Sequence, residues 1–378
     1  FRKPASYTGE DVVEISGHGG VLVAAKILQL LLTKNLRPAE PGEFTQRAFL
    51  NGKMDLTQAE AVMDLIRAQT PLALRAAAEQ LGGRIGEGIH ALREILLEAV
   101  AHLEAFIDFP EEGIDPDSGR VMLERLAGVE RSIKELLDTA QEGRILREGV
   151  RLVLCGEPNA GKSSLLNRLL GFDRAIVSAT PGTTRDTIEE LASLHGVPFR
   201  ITDTAGLRES VDSIEIEGIE RARRVIESAD IVLELLDSTA PAEQRVEVEG
   251  CPKLVVWNKS DLMSEAFAQK EFSADELVVS CKTGEGLDRL VDLLVRKAGR
   301  QDVASRNSAA AINARHQACL QRALEALQHA MAALTEEVEP ELIALDLRAA
   351  LDAVGEVVGA VDSEEILGRI FGNFCIGK

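Results

Sequence analysis

The sequence predicts a multidomain chain in which an α/β domain is inserted into a discontinuous helical bundle domain. Apolar residues recur at helical spacing through residues 51–147 and again through residues 299–378. Between them, residues 148–298 alternate short apolar strands with helices, which predicts a mostly parallel sheet covered on both faces. Since neither helical half can bury its apolar stripe alone, we expect the two halves to pack against each other.

Residues 1–50 precede this arrangement as a segment of mixed α+β character. Their pattern predicts a strand over residues 11–15 and an apolar helix over residues 21–32. In the helical halves, helices are predicted within residues 51–109 and 121–146 and over 317–334, 342–359 and 364–370. In the α/β domain, strands are predicted over residues 150–155, 187–194, 199–202, 231–236, 253–257 and 277–279.

The composition fits a globular chain and excludes several classes of function. Of the 378 residues, 45% are hydrophobic and only 3% are aromatic, too few rings for a platform that stacks single-stranded nucleic acid. The net charge of −20 repels phosphate backbones, so any contact with nucleic acid requires a local patch or a partner. No run of 18 apolar residues occurs, which argues against a membrane span.

The cysteines and histidines indicate a reducing compartment and no metal centre of their own. None of the five cysteines forms a CxxC pair, and the six histidines lack metal-ligand spacing. We therefore expect a cytoplasmic chain without a disulfide framework. Because the chain opens at Phe1 rather than Met, we expect the natural protein to begin upstream of it.

A glycine-rich phosphate loop follows the first strand of the α/β domain. Residues 156–163 fit the pattern G-x-x-x-x-G-K-[ST] between a predicted strand and a predicted helix, a context that disfavours an unrelated turn. Backbone N–H groups of such a loop surround a polyphosphate, while Lys162 neutralises the β- and γ-phosphates and Ser163 ligates Mg²⁺. The other contacts expected from this loop come from Asn159, Ala160, Gly161 and Ser164.

Two later segments predict that the base is guanine. Asn258, Lys259, Ser260 and Asp261 follow a predicted strand. A carboxylate at that strand end can accept both N1–H and N2–H of guanine, and adenine offers no such pair. After the last strand, main-chain N–H groups of Ser280, Cys281 and Lys282 are expected to contact the base.

Two further segments are expected to sense the γ-phosphate. Asp203, Thr204, Ala205 and Gly206 match D-x-x-G, in which Asp203 holds Mg²⁺ through water and the Gly206 N–H contacts the γ-phosphate. Residues 180–186 form a threonine-rich loop upstream. Within it we expect Thr184 rather than Thr183 to be the second direct Mg²⁺ ligand.

The residue after D-x-x-G departs from the Ras-like pattern, because Leu207 stands where a Gln would orient the attacking water. One of the carboxylates that follow can reach this water; they are Glu209, Asp212, Glu215, Glu217 and Glu220. Asn159 fits two roles equally well on these grounds. Its side-chain oxygen can hold a monovalent cation that stabilises transition-state charge, or the residue can simply form the turn.

With these motifs in place, the chain resembles the family of tRNA-modification GTPases called MnmE or TrmE, over essentially its whole length. The resemblance rests on the GTPase motifs, on residues 182–186 and on the C-terminal run Phe374-Cys375-Ile376-Gly377-Lys378. It also rests on the N-terminal segments 3–11 (KPASYTGED), 17–20 (GHGG), 41–45 (PGEFT) and 48–53 (AFLNGK).

The resemblance implies a potassium-dependent GTPase that dimerises through its G domains during hydrolysis. Side-chain oxygens of Asn159 and Thr183 and carbonyls of Ser178 and Thr180 would bind K⁺, and Glu215 matches the family's water-orienting glutamate. The loop residues that would contact the nucleotide are then Ser178, Ala179, Thr180, Pro181, Gly182, Thr183 and Thr184.

The resemblance also implies a tetrahydrofolate-binding-like N-terminal domain that mediates a constitutive homodimer. Its folate contacts map onto Glu14, Lys53 and Lys378, with a further Arg contact upstream of Phe1. The one-carbon donor would be 5-formyl- or 5,10-methylene-tetrahydrofolate. With the FAD-containing partner MnmG, in a heterotetramer, the family modifies C5 of the wobble uridine of certain tRNAs. The acidic surface agrees with a partner that holds most of the tRNA.

Two points stay open at the level of sequence. Cys375 can be a packed thiol, which its apolar surroundings favour, or a functional group facing the folate pocket. The alternative function is a regulatory GTPase switch resembling those of ribosome assembly. Such switches usually carry a basic RNA-binding appendage, whereas the flanks here are helical and acidic. This alternative also gives residues 374–378 no role. A structural protein with a vestigial nucleotide site is disfavoured by intact Lys162, Ser163, Asp203 and Asp261.

Overall fold

The computed structural model describes residues 1–108, 119–172, 189–203, 224–240, 245, 248, 250–299, 311–336, 338–360, 364–372, 374 and 377. The chain divides into two compact units. The first contains Phe1–Ile66, Ala77–Gln141 and Ala310–Lys378, and the second contains Arg67–Ala76 and Glu142–Ala309. None of the helices in these described ranges combines the length and the apolar character that crossing a bilayer requires.

Helices make up most of the chain before residue 149 and after residue 310. The earlier ones are α1 (Val21–Leu32), α2 (Glu43–Leu50), α3 (Leu56–Arg67), α4 (Pro71–Leu81), α5 (Arg84–Asp108), α6 (Gly119–Asp138) and α7 (Ala140–Glu148). The later ones are α11 (Ala314–Thr335), α12 (Pro340–Val358) and α13 (Glu364–Phe371). The helical pattern predicted within residues 121–146 forms two helices, α6 and α7, because the chain turns at Thr139.

One hydrophobic core joins helices from both ends of the first unit. Leu92 and Leu96 of α5 and Leu126 of α6 are buried together with Leu320 of α11 and Leu347 of α12. Each of these side chains is at most 6% exposed. Apolar positions spaced three and four residues apart therefore face a shared interior, as amphipathic helices require.

The strand predicted over residues 11–15 is wrong, since the structure has no regular element there. The Val12 N–H donates to the Phe1 carbonyl at 2.9 Å, and the Phe1 amino group donates to the Val12 carbonyl at 2.8 Å. Within the described residues no ladder continues beyond this pair, and an isolated bridge does not make a strand. The apolar helix α1 has the predicted bounds and contains no buried residue.

The second unit is built on a six-stranded sheet. Its strands are β1 (Val150–Gly156), β2 (Glu189–Leu194), β3 (Val197–Asp203), β4 (Ile231–Asp237), β5 (Lys253–Asn258) and β6 (Glu276–Val278). They lie in the order β2-β3-β1-β4-β5-β6, with only the β2–β3 hairpin antiparallel. The helices of this part are α8 (Lys162–Leu170), α9 (Glu265–Ala268) and α10 (Leu287–Lys297). The predicted mostly parallel sheet is confirmed.

The central strands of this sheet are buried on both faces. Leu152 and Leu154 of β1 pack with Leu165 of α8 and Leu290 of α10 on one face. Val153 of β1 belongs to a separate cluster on the opposite face. Because β1 lies between β3 and β4, its carboxyl end opens at the centre of one sheet edge, where ligands of parallel sheets usually bind.

Candidate guanine nucleotide site

The carboxyl ends of four parallel strands bring the predicted nucleotide motifs to one edge of the sheet. In register, Leu154 of β1 pairs with Asp203, the last residue of β3. On the other side, Gly156 pairs with Leu235 of β4, and further along Asp237 of β4 pairs with Asn258, the last residue of β5. The phosphate loop, the start of D-x-x-G and residues 258–261 therefore begin at the same edge.

The phosphate loop needs glycine at both of its ends. Gly156 has φ 138° and Gly161 has φ 101°, values that side-chain-bearing residues rarely adopt. A Cβ on Gly156 would lie 2.1 Å from the Leu235 carbonyl oxygen, and one on Gly161 would lie 2.3 Å from Asn258 Nδ2. The loop thus follows the neighbouring backbone closely and ends at the N-terminus of α8, the position at which such loops bind phosphates.

Lys162, the first residue of α8, places its ammonium group inside this loop. Its Nζ donates to the carbonyl oxygens of Gly156 at 2.9 Å and Glu157 at 2.8 Å. The residue is only 7% exposed, so the charge is held by the loop itself. A cation fixed at this point is suited to neutralise phosphate oxygens that enter the loop.

Asn258 joins the phosphate loop to the segment expected to contact the base. Its Nδ2 donates to the Ala160 carbonyl at 2.8 Å, and its Oδ1 accepts from the Cys281 N–H at 3.0 Å. The residue is buried, and both ends of its amide are used. Two loops separated by about 120 positions in the chain are thereby fixed relative to each other.

Asp261 lies at the far end of the same arrangement. Its Oδ1 accepts a hydrogen bond from Ser280 Oγ at 2.7 Å, and Lys282 Nζ lies 3.8 Å from its Oδ2. The carboxylate is therefore oriented by the loop that contains residues 280–282. This geometry fits a group that accepts two parallel N–H donors from a purine edge.

Lys259 and Asp237 form an ion pair that sequence reasoning did not predict. Lys259 Nζ donates to Asp237 Oδ2. Burial raises the pKa of the Asp237 carboxyl, but hydrogen bonds from Lys259 and Thr239 outweigh burial and lower the pKa below its usual range. A carboxylate at the end of β4, adjacent to the strand that precedes Lys259, is a signal that could have revealed this pair.

Arg168 also was not among the predicted residues, although it contacts residues 281 and 282 of the loop that is expected to lie next to the base (the base-proximal loop). Its Nε donates to the Cys281 carbonyl at 2.8 Å, and its Nη2 donates to the Lys282 carbonyl at 2.7 Å. Burial raises the pKa of the Cys281 thiol to about 11 despite the nearby Arg168 charge, so this thiol stays protonated at neutral pH. The 113-residue separation leaves no local sequence signal for the contact.

Other phosphate-loop residues lie where the motif predicts. Ala160 is buried, whereas Asn159, Ser163 and Ser164 are exposed. Asn159 has φ 63°. This conformation is compatible with a turn and equally with a side chain that faces a bound ion.

Several predicted site residues lie outside the described residues. They are Ser178, Ala179, Thr180, Pro181, Gly182, Thr183, Thr184, Thr204, Ala205, Gly206, Glu215, Cys375 and Lys378. Among the residues that are described, no group of three or more His, Cys, Asp and Glu side chains is arranged to hold a metal ion.

The predicted folate contacts belong to the first unit. Lys53 is exposed, and its Nζ donates to the Pro4 carbonyl at 3.1 Å. The Asn51 amide donates to the Thr8 carbonyl at 2.8 Å, so segments 3–11 and 48–53 contact each other. Glu14 is exposed in the irregular segment that replaces the predicted strand.

The start of the C-terminal motif is anchored in the first unit. Phe374 is buried with its ring centroid 5.3 Å from that of Phe371, beside Leu56 and Met63 of α3. A Cβ built on Gly42 would lie 2.9 Å from Phe374 Cβ. Gly42 and Phe374, which belong to segments that the sequence singled out separately, therefore lie in contact.

Comparison with known proteins identifies relatives over the full chain. One family model, described as the MnmE helical domain, matches residues 56–375, and another, described as the GTP-binding protein TrmE N-terminus, matches residues 1–53. The tRNA modification GTPase MnmE of Akkermansia muciniphila is 49% identical over 100% of this chain and 84% of its own length. The protein of the same name from Symbiobacterium thermophilum is 46% identical over 100% of this chain and 84% of its own. Among solved structures, Era of Aquifex aeolicus bound to GDP.AlF4- is similar at 25% identity and a TM-score of 0.31, covering 47% of this chain and 66% of that one.

Proposed function

This chain belongs to the MnmE family of tRNA modification GTPases, and on that premise we propose that it hydrolyses GTP with K⁺ and Mg²⁺ to modify tRNA. The observation that carries the nucleotide half of the proposal is the double hydrogen bond of Asn258. It links the phosphate loop at Ala160 to the base-proximal loop at Cys281, so one ligand would touch both. A guanine nucleotide fits this spacing of a phosphate cradle and a base carboxylate.

In this proposal the described residues bind and orient the nucleotide. Backbone N–H groups of residues 159–164 surround the phosphates, Lys162 neutralises them, and Ser163 ligates Mg²⁺. Asp203 holds the ion through water, and Thr184 supplies the second direct ligand. Asp261 accepts the two N–H groups of guanine. The assignment of a phosphate loop is supported by Gly156, where a Cβ would lie 2.1 Å from the Leu235 carbonyl oxygen, so the motif's first glycine is required.

Potassium would replace the arginine that other GTPases bring to the reaction. Side-chain oxygens of Asn159 and Thr183 and the carbonyls of Ser178 and Thr180 would bind the ion beside the triphosphate, where negative charge develops. Glu215 would orient the attacking water, because Leu207 cannot do so. G domains of two copies would associate during hydrolysis. The exposed position of Asn159 in the loop supports an ion at this place.

The modification half of the proposal concerns the first unit. A constitutive homodimer would bind 5-formyl- or 5,10-methylene-tetrahydrofolate through Glu14, Lys53 and Lys378, with Cys375 as a possible functional thiol. Together with the FAD-containing MnmG subunit, in a cytoplasmic heterotetramer, the chain would modify C5 of the wobble uridine. Phe374, the first residue of the C-terminal motif, packs against Gly42 within the unit that also contains Glu14 and Lys53, which supports a shared site for these segments.

The domain organisation that accompanies this function is likewise proposed. Residues 1–50 would be part of the folate-binding-like domain, and residues 148–298 would be a G domain inserted between helical halves 51–147 and 299–378. The shared core of α5, α6, α11 and α12 supports a single helical domain made from both halves.

Replacing KCl by NaCl at equal ionic strength tests the central claim. We expect GTP turnover to fall by about tenfold or more, because the proposed site selects the larger ion next to the developing charge. Asn159→Ala should lose the stimulation of GTP turnover by K⁺ while retaining affinity for GDP. Equal turnover in the two salts would remove potassium from the mechanism and leave the assignment to the GTPase family intact.

A further inference from the structure

The loop after β6 carries main-chain groups toward the base edge of the site, so its conformation decides which of them face a nucleotide. Part of that conformation is fixed within the loop. The Ser280 N–H donates to the Glu285 carbonyl at 2.9 Å, and the Gly284 N–H donates to the Ser280 carbonyl at 2.8 Å. The carbonyls of Cys281 and Lys282 lie between these bonds and are held from outside the loop.

Arg168 is the group that holds both carbonyls. Its Nε and Nη2 atoms donate at 2.8 Å and 2.7 Å to two consecutive carbonyls, which matches the forked geometry of a guanidinium. Such charge-assisted hydrogen bonds are stronger than neutral ones. Arg168 lies in the last turn of α8, the same helix that begins with Lys162 and Ser163.

The planarity of the peptide bond carries this constraint to the other side of the loop. In a trans peptide the C=O and the following N–H point in opposite directions. With the Cys281 carbonyl facing Arg168, the Lys282 N–H points away from α8. With the Lys282 carbonyl facing Arg168, the Thr283 N–H points to Ser280 Oγ, to which it donates at 3.2 Å.

Ser280 extends the chain of hydrogen bonds to the carboxylate that would read guanine. Its hydroxyl accepts from the Thr283 N–H and donates to Asp261 Oδ1 at 2.7 Å. A rigid sequence of contacts therefore runs from Arg168, through the peptide that follows Lys282, to Asp261. Networks of this kind strengthen one another in a partly buried setting.

We propose that Arg168 is a positioning residue for guanine recognition, which ties the phosphate-binding helix to the loop and carboxylate that select the base. This inference rests on the proposed base-reading role of Asp261. The competing explanation is that Arg168 is only a favourable cation at the C-terminal end of a helix. That explanation predicts a loss of fold stability that is indifferent to the base.

The test measures how well GDP and IDP displace a fluorescent ribose-labelled GDP from the full chain. IDP lacks only the 2-amino group, so the ratio of the two affinities reports the second bond to Asp261. In Arg168→Gln we expect about tenfold weaker GDP binding and a GDP-to-IDP ratio reduced by about threefold or more. An unchanged ratio, which includes an equal loss of affinity for GDP and IDP, would overturn the proposal.

Two further variants keep the result interpretable. Arg168→Lys retains the positive charge without the fork and should show the same reduced ratio; a normal ratio in this variant would also overturn the proposal. Arg296→Gln is the matched control, because Arg296 lies exposed in the last turn of α10 and loses the same helix-end charge. It should leave both affinities unchanged.

A third variant separates this inference from the proposed function beneath it. Asp261→Asn should shift preference from GDP to XDP, whose 2-oxo group accepts where guanine donates. If this variant keeps a preference for GDP, the base-recognition account itself is wrong. If preference shifts as expected while Arg168→Gln keeps the wild-type ratio, only the role of Arg168 fails. GDP as the probe makes these outcomes independent of potassium and of the γ-phosphate.

Discussion

The nucleotide site and a buried cluster around Glu60 place charged side chains in two very different settings. In the second unit, Lys162 donates to the main-chain carbonyls of Gly156 and Glu157, and Asp261 accepts from Ser280 Oγ at 2.7 Å with Lys282 Nζ 3.8 Å from its other oxygen. In the first unit, Glu60 of α3 accepts hydrogen bonds on both oxygens from Arg315, Asn313 and His316, at 2.7 to 3.0 Å. The first set lies in the loops of the candidate nucleotide site, whereas the second joins helices of the first unit.

The difference shows how the same residue types serve binding in one place and stability in another. Arg315 also donates to the carbonyls of Glu356 and Val357 at the end of α12, so the Glu60 cluster fastens three helices. His316 is fully buried and Glu60 is only 12% exposed. A saturated cluster of this kind holds a fold together, whereas Lys162 and Asp261 follow the carboxyl ends of parallel strands, where such sheets usually bind ligands.

The largest effect is expected when Glu60 is removed. Glu60→Ala leaves Arg315 and His316 buried without their carboxylate, which should lower the free energy of unfolding of the first unit by about 3–5 kcal/mol. The sole tryptophan, Trp257, lies in β5 of the second unit. We therefore expect urea unfolding followed by far-UV circular dichroism to shift, while the transition followed by Trp257 fluorescence stays in place.

A surface carboxylate provides the control for this substitution. Glu98 is 71% exposed and lies 3.9 Å from Arg125, so Glu98→Ala should change the free energy of unfolding by less than about 0.5 kcal/mol. If Glu60→Ala were equally harmless, the contrast between a structural cluster and a binding site would not hold.

Acid should weaken the same cluster. Burial raises the pKa of Glu60, but the charge of His316 and hydrogen bonds from His316 and Arg315 outweigh burial and lower the pKa to about 2. A carboxylate with a depressed folded-state pKa contributes stability above its unfolded pKa and loses it as pH falls through the folded value. Between pH 4.5 and 2 this contribution, about 3 kcal/mol, should disappear. Unfolding of Glu60→Gln, measured over the same range, should depend less steeply on pH than the wild type does.

Removing the ammonium group of Lys162 should reduce GTP turnover and leave stability nearly unchanged, which is the opposite of the effect expected for Glu60→Ala. We expect Lys162→Ala to reduce GTP turnover by about 100-fold, because the charge that meets the phosphates is lost. Both unfolding transitions, measured without nucleotide, should stay within about 1 kcal/mol of wild type. Lys297→Ala, a substitution in the last turn of α10, should retain full turnover. A large loss of stability in Lys162→Ala would mean that this lysine serves the fold as well.

Much of the second unit could be predicted from local pattern. The strand predicted over residues 150–155 extends one residue further, to Gly156, and the helix predicted after the phosphate loop is α8, because a buried parallel strand is a continuous apolar run and Gly171 caps the helix. The strand expected at residues 11–15 failed for a reason that no local pattern reveals. Among the described residues, the main-chain hydrogen bonds of this segment are limited to those between Val12 and Phe1, so no ladder forms.

In the candidate site, motif residues were predictable and their connectors were not. Asn258 and Asp261 were expected from their order behind the phosphate loop, which fixes chemistry by residue type and spacing. Arg168 and Asp237 were not, since their roles depend on loops that are distant in sequence and meet only after the sheet forms. Because every residue has a main-chain carbonyl, the residue type at positions 281 and 282 does not indicate that a side chain donates to it.

By itself, the sequence determined which chemical groups this protein brings to a nucleotide and which segments would be helices or strands. Those properties follow from side-chain chemistry and from the 2.0 and 3.6 residue periods of the backbone. Only the tertiary structure decided that Arg168 faces the carbonyls of residues 281 and 282, and that Glu60 is saturated by three partners about 250 positions away. Such contacts depend on how packed elements bring remote backbone and side-chain atoms within hydrogen-bond distance, which no local pattern encodes.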